Sequence, residues 1–190
     1  MTQEDVVVMV IDAFESSGAR CMVVGSLASS FHGILRASQD ADIVVDGPLA
    51  SLLAAVDRLG TAFYASKDAA REAHRRRRSF NVIHIDTAFK VDLIVRKDRP
   101  FSECEISRRR AGPLAGRSVG FATAEDTFLA KLEWATDADS SRQYDDACGI
   151  VATQGDAFDW AYVERWAGEL GVVELTERAR SGKAFRERVS

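Results

Sequence analysis

Two aspartates one residue apart, Asp40 and Asp42, sit at the head of an apolar stretch, Ala41-Asp42-Ile43-Val44-Val45, and a third, Asp92, interrupts another, Val91-Asp92-Leu93. If these stretches are strands, residues at i and i+2 point to the same face, so Asp40 and Asp42 would project side by side. Carboxylates held that way repel each other unless a cation lies between them, and an all-oxygen set suits a hard ion such as Mg²⁺ (or Mn²⁺). Asp92, with apolar neighbours on a half-buried strand, must be paired, metal-bound or functional. The plainer alternative makes Asp40 a helix or turn cap and pairs Asp42 and Asp92 with nearby arginines. Upstream, Val24-Gly25-Ser26 precedes Asp40 by a spacer of 13 residues.

This order resembles the signature of the DNA polymerase beta-like nucleotidyltransferase superfamily. There an apolar residue, Gly, and Gly or Ser are followed by a short spacer, an Asp-x-Asp/Glu between apolar residues, and a later lone carboxylate on a neighbouring strand. The text Arg36-Ala37-Ser38-Gln39-Asp40-Ala41-Asp42 and Phe89-Lys90-Val91-Asp92 is similar to AbiEii-like and related bacterial nucleotidyltransferases. The resemblance spans about residues 20–135. It implies a nucleotidyltransferase fold and transfer of a nucleoside monophosphate from an NTP to an acceptor hydroxyl on tRNA, a protein or a small molecule.

It also implies roles for particular residues. Gly25 and Ser26 would open a helix whose N–H groups hold nucleotide phosphates, glycine allowing close approach. Asp40, Asp42 and Asp92 would be the catalytic, metal-binding carboxylates. Such an arrangement stabilises attacking and leaving oxygens of an in-line displacement, and most of the rate gain is positioning and charge neutralisation. Arg36 would bind a phosphate or hold the carboxylates, a structural ion pair being the other reading. Lys131 would approach the triphosphate, although a lysine on an amphipathic helix more often snorkels at the surface. By analogy alone, a toxin–antitoxin or phage-defence role with an antitoxin partner is expected. A non-catalytic nucleotide-sensing or partner-binding module on the same fold is the alternative.

The elements that must carry these residues follow from periodicity and breakers. Helices are predicted over 5–17, 27–32 (with His32 as a cap), 49–59 and 66–76. Short strands are predicted at 21–24 and 41–45. Residues 80–86 and 89–95 read as an antiparallel hairpin, and two further strands are predicted at 104–109 and 117–121. From Thr123-Ala124-Glu125-Asp126, an N-cap with acidic residues in the first turn, the pattern turns helical to about Trp134, then over 141–153, 158–169 and 172–180. The expectation is an α+β fold: an α/β core with a mixed, mostly antiparallel sheet over 1–122, and a C-terminal helical bundle over 123–190 packed on that core. Trp134, Trp160 and Trp166 fit core-facing positions. Arg142, Asp145 and Asp146 fit salt bridges between helices.

Composition narrows the classes. Hydrophobic residues make up 46% and charged residues 28% of 190, which is ordinary for a globular protein. No apolar run approaches a membrane span. Met1-Thr2-Gln3-Glu4-Asp5 lacks the basic opening of a secretory signal, and Cys21, Cys104 and Cys148 have neither disulfide nor zinc spacing, so a cytoplasmic protein is expected. From Lys67 to Arg117 there are 14 Lys/Arg against 7 Asp/Glu, while the rest of the chain has 11 against 22. The run Arg75-Arg76-Arg77-Arg78 could grip an acceptor RNA backbone, cover the site as a loop, or form a solvated face.

Overall fold

The computed structural model describes residues 1–33 and 40–185. Arg36 lies outside the described residues. Two compact units are present: Met1–Leu27 with Ala37–Ala122, and Ala28–Arg36 with Thr123–Ser190.

In the first unit, α1 (Gln3–Glu15) starts at a capping box, Thr2 accepting from the Asp5 N–H while Asp5 accepts from the Thr2 N–H. β1 (Arg20–Val24) leads without a break into α2 (Gly25–Phe31), whose residues from Ala28 onward belong with the second unit. β2 (Asp40–Asp46), α3 (Leu49–Leu59), β3 (Phe63–Ala65), α4 (Lys67–Arg76), β4 (Ser79–His84) and β5 (Lys90–Val95) follow. Then come α5 (Pro100–Arg108), β6 (Arg110–Leu114) and β7 (Arg117–Phe121).

The strands form one seven-stranded sheet in the order β3-β4-β5-β2-β1-β7-β6. The β2–β5 and β1–β7 pairs are parallel; the other four neighbouring pairs are antiparallel. The expected α+β class and mixed, mostly antiparallel sheet are found. One face carries Val23, Ile43, Leu93 and Phe80 in a single row across four strands, all at most 5% exposed. The amphipathic helix α1 packs there, with Phe14 6.4 Å from Phe80 between ring centroids. Cys21 is buried on this unit, and burial pushes its thiol pKa up, which keeps it inert.

The segment expected as a strand near 104–109 is instead the helix α5. Pro100 in its first turn sets a helical φ, and Phe101, Glu105 and Ile106 are buried at helical spacing. Short alternation in Cys104–Ile106 mimicked a strand. Two strands went unanticipated. β3 has three residues, and β6 carries Gly112 and Pro113, which an edge strand tolerates. β6 and β7 join through Ala115 (φ 45°) and Gly116 (φ 75°), the positive-φ pair that a tight hairpin favours.

The second unit contains α6 (Ala124–Ala138), α7 (Ser141–Gln154), α8 (Trp160–Leu170) and α9 (Val173–Arg180). Thr123 caps α6 as expected, accepting from the Asp126 N–H. Asp126, fully buried, accepts from the Thr123 hydroxyl at 2.6 Å and from the Tyr162 hydroxyl at 2.5 Å, tying α8 to α6. The N–H of His32 closes α2 on the Ala28 carbonyl, and the Gln154 side chain donates to the His32 carbonyl. Trp160 stacks edge-on against Phe128 and Phe158. Trp134, expected in the core, is half exposed: it falls at the edge of the buried stripe of α6 that holds Phe128, Leu132 and Ala135. No helix among the described residues is long and apolar enough to cross a membrane.

Candidate active site

The sheet face opposite Phe14 is graded along its strands. At one end, Asp46 on β2 accepts from Arg20 Nε at 3.0 Å and Arg96 Nε at 2.9 Å, and Glu103 joins both arginines. Burial alone would raise the Asp46 pKa. The hydrogen bonds from Arg96 and Arg20 outweigh it, and the carboxyl is held below its usual value. In the middle, Ile106 of α5 closes an apolar cluster with Met22, Val44 and Ala122, flanked by Val24 and Ile94. At the other end the same face carries Asp40, Asp42, Lys90 and Asp92, none of them fully buried.

Strand register brings the carboxylates together. Asp42 stands opposite Asp92 across the parallel β2–β5 pair, and Asp40 stands opposite Lys90. On the other flanks, Val24 of β1 is opposite Asp42 and Asn81 of β4 is opposite Asp92. Period-2 alternation puts Asp40 and Asp42 on one face, and the same rule puts Lys90 beside Asp92. Lys90 Nζ lies 2.7 Å from Asp92 Oδ2 and 3.4 Å from Asp40 Oδ2. The hydrogen bond to Asp92 raises the Lys90 pKa against a smaller opposing effect of burial, so Lys90 is an ammonium.

Gly25 opens α2 at φ +63°, a conformation in which an L side chain is strained. It also abuts the Asp42 carboxylate: a Cβ there would lie 3.0 Å from Asp42 Cγ and would collide with Oδ2. The β1–α2 junction and Asp42 are therefore built as one piece, with Ser26 as the next helical residue.

As the side chains are placed, no three His, Cys, Asp or Glu groups among the described residues stand ready to hold a metal ion. The donor chemistry nevertheless suits one. Three carboxylates on two adjacent strands form an all-oxygen set, and Asp40 and Asp92 are already drawn onto a cation, the Lys90 ammonium.

Other expected residues fall elsewhere. Lys131 belongs to the second unit and is 4% exposed, its ammonium 3.1 Å from Asp146 Oδ2 on α7 and 3.2 Å from Gln143 Oε1. Asp146 thus makes the interhelical bridge expected for its helix. In the arginine run, Arg75 and Arg76 pair with Glu72 and Arg77 pairs with Asp98. Lys90 joins the expected residues of this face as its cation. Its signal was its i−2 spacing from Asp92, which places it on the carboxylate face wherever that face lies.

No protein-family model matches the chain, and no curated protein matches it. Solved structures do. The solution structure of the antibiotic-resistance factor ANT(2'')-Ia matches at 18% identity and a TM-score of 0.53, covering 88% of this chain and 94% of that one. The crystal structure of ANT(2'')-Ia in complex with adenylyl-2''-tobramycin matches at 18% identity and a TM-score of 0.55, covering 96% and 99%. An antigenic nucleotidyltransferase-like protein from Paracoccidioides brasiliensis matches at 12% identity and a TM-score of 0.56, covering 98% and 95%. At these identities the likeness is one of fold, and the chain has a fold similar to that of nucleotidyltransferases.

Proposed function

We propose that this protein is a metal-dependent nucleotidyltransferase that moves a nucleoside monophosphate from an NTP to an acceptor hydroxyl. The observation that carries this reading is the pairing of Asp42 with Asp92 in register beside the Gly25 turn, on a fold shared with nucleotidyltransferases. Asp40, Asp42 and Asp92 would hold the divalent cation, Mg²⁺ or Mn²⁺. When bound, such an ion neutralises phosphate charge and favours the ionised acceptor oxygen. Gly25 and Ser26 bring the backbone N–H groups at the start of α2 to the nucleotide phosphates, with Gly25 leaving room for close approach. Arg36, four residues before Asp40, remains a candidate phosphate contact by its position, and Lys131 remains one under the family resemblance.

In the transfer, a bond forms between the acceptor oxygen and the α-phosphorus, and the bond from the α-phosphorus to the bridging oxygen breaks, releasing pyrophosphate. Asp92, on the strand next to Asp42, takes up the acceptor proton. The chain's own part is largely positioning: two adjacent strands, β2 and β5, and the start of α2 hold these groups on rigid elements.

Among acceptors, a small polyhydroxylated molecule is favoured over RNA. Arg75, Arg76 and Arg77 are engaged with Glu72 and Asp98, which weakens the case for a phosphate-gripping arginine run. The ANT(2'')-Ia structure that matches nearly end to end is a complex with adenylyl-2''-tobramycin. The AbiEii-like text around Asp40 and Asp92 supports a toxin–antitoxin or phage-defence setting by analogy, with an antitoxin partner and a cytoplasmic, NTP-supplied location.

The test is incubation with each of the four α-labelled NTPs and Mg²⁺, in the presence of tobramycin, total tRNA or protein extract, with Asp42→Ala as control. Label should move to one acceptor class and fall by about 100-fold or more in the variant, as expected when charge stabilisation is removed. Equal labelling by both proteins under every condition would end this reading. Mg²⁺-dependent NTP binding without transfer would favour the nucleotide-sensing module instead.

A further inference from the structure

Lys90 sits where a divalent cation would have to act. Strand register sets it opposite Asp40, and its spacing sets it on the same face as Asp92. Its ammonium hydrogen-bonds an Asp92 oxygen at 2.7 Å and lies 3.4 Å from an Asp40 oxygen. A Mg²⁺ bound to those oxygens at about 2.1 Å would compete for the same lone pairs and be repelled by the ammonium beside it. Lysine is a compact charge on a flexible stem, and this side chain is 39% exposed, so it can swing away without unpacking the sheet.

We propose that Lys90 is the resident counter-ion of the carboxylate site and couples divalent-ion binding to the nucleotide. In the resting protein Lys90 holds Asp40 and Asp92 in place of a metal. When the NTP arrives, its polyphosphate gives the ammonium a new partner, and the carboxylates are released to the ion. This inference rests on the nucleotidyltransferase reading. An ammonium held on the same carboxylate oxygens opposes the entry of a second cation, and that opposition falls when the polyphosphate draws Lys90 away.

The experiment is Mn²⁺ uptake, read from the paramagnetic resonance of free Mn²⁺, for wild type, Lys90→Met, Lys90→Gln and Lys90→Arg. Each is measured alone and with α,β-methylene analogues of the NTPs, after a thermal melt confirms that the variant is folded. Without nucleotide, Lys90→Met and Lys90→Gln should bind Mn²⁺ about fivefold tighter than wild type, the scale of a partly exposed ion pair, while Lys90→Arg stays close to wild type. Adding the nucleotide analogue should tighten Mn²⁺ more in wild type than in the neutral variants. If the neutral variants bind Mn²⁺ alone no better than wild type, the Lys90 inference fails by itself. If no protein takes up Mn²⁺ even with an analogue, the nucleotidyltransferase reading fails and carries this inference with it.

Discussion

Asp42 and Asp92 face each other across a parallel strand pair, with the backbone of Gly25 pressed against the Asp42 carboxylate. Like charges opposite each other weaken a sheet. At the other end of the same face the solution is different: Asp46 is shared between Arg20 and Arg96. The two ends of this face therefore differ in kind: one brings carboxylates from neighbouring strands into register around the Lys90 ammonium, and the other shares a single carboxylate between two arginines.

Gly25 tests the joint between the turn and the carboxylate. Gly25→Ala should destabilise the protein by about 1–3 kcal/mol in urea unfolding, from positive-φ strain and the clash with Asp42. In an Asp42→Ala background the clash with the carboxylate is removed, and the cost should fall toward the ~1 kcal/mol of the left-handed conformation alone. Equal cost in both backgrounds would mean that the Asp42 contact is not what this glycine serves.

Lys131 and Asp146 form a buried pair, with side-chain exposures of 5% and 4%. Lys131→Met should cost about 3 kcal/mol or more, because it removes the ammonium that faces the buried Asp146, and Lys131→Met/Asp146→Leu should recover most of the loss. Thermal melts of the single and double variants decide this. An unchanged melt for Lys131→Met together with a raised KM for NTP would instead assign Lys131 the triphosphate role that the family resemblance implies.

Asp46 sets a pH dependence. Its folded pKa is lowered from 3.8: burial pushes it up, but hydrogen bonds from Arg96 and Arg20 push it down further. A carboxyl with a depressed folded pKa contributes stability that is complete above its unfolded value and lost as pH falls through the folded one. Urea unfolding of wild type and Asp46→Asn should therefore differ most at neutral pH and converge below pH 3.8. A gap that stays constant from pH 6 to pH 3 would contradict the arginine clamp.

Much of the site could be read from the chain because its logic is local. Asp40 and Asp42, and likewise Lys90 and Asp92, share a face through the period-2 geometry of strands, whichever strands become neighbours. Apolar runs ended by Gly25 and by Asp46-Gly47-Pro48 marked β1 and β2, the alternation of Lys90 and Asp92 with Val91 and Leu93 marked β5, and Thr123 marked the start of α6. Local pattern failed where it was too short or ambiguous. β3 offers three residues, and Pro100–Arg108 alternates briefly at Cys104–Ile106 while its helical period emerges only over two turns.

What the amino-acid order determined by itself was the set of acidic side chains, their spacing and the faces they take. Which strands lie side by side, and in what register, was decided only by the tertiary structure. Asp42 meets Asp92 because β2 and β5, far apart in sequence, pair in parallel at the centre of the sheet, burying Ile43 and Leu93 together on the other face. Lys90 finds Asp40, and Lys131 finds Asp146, for the same reason. Such partners are chosen by burial and chain connection over the whole fold, which no short window of sequence contains.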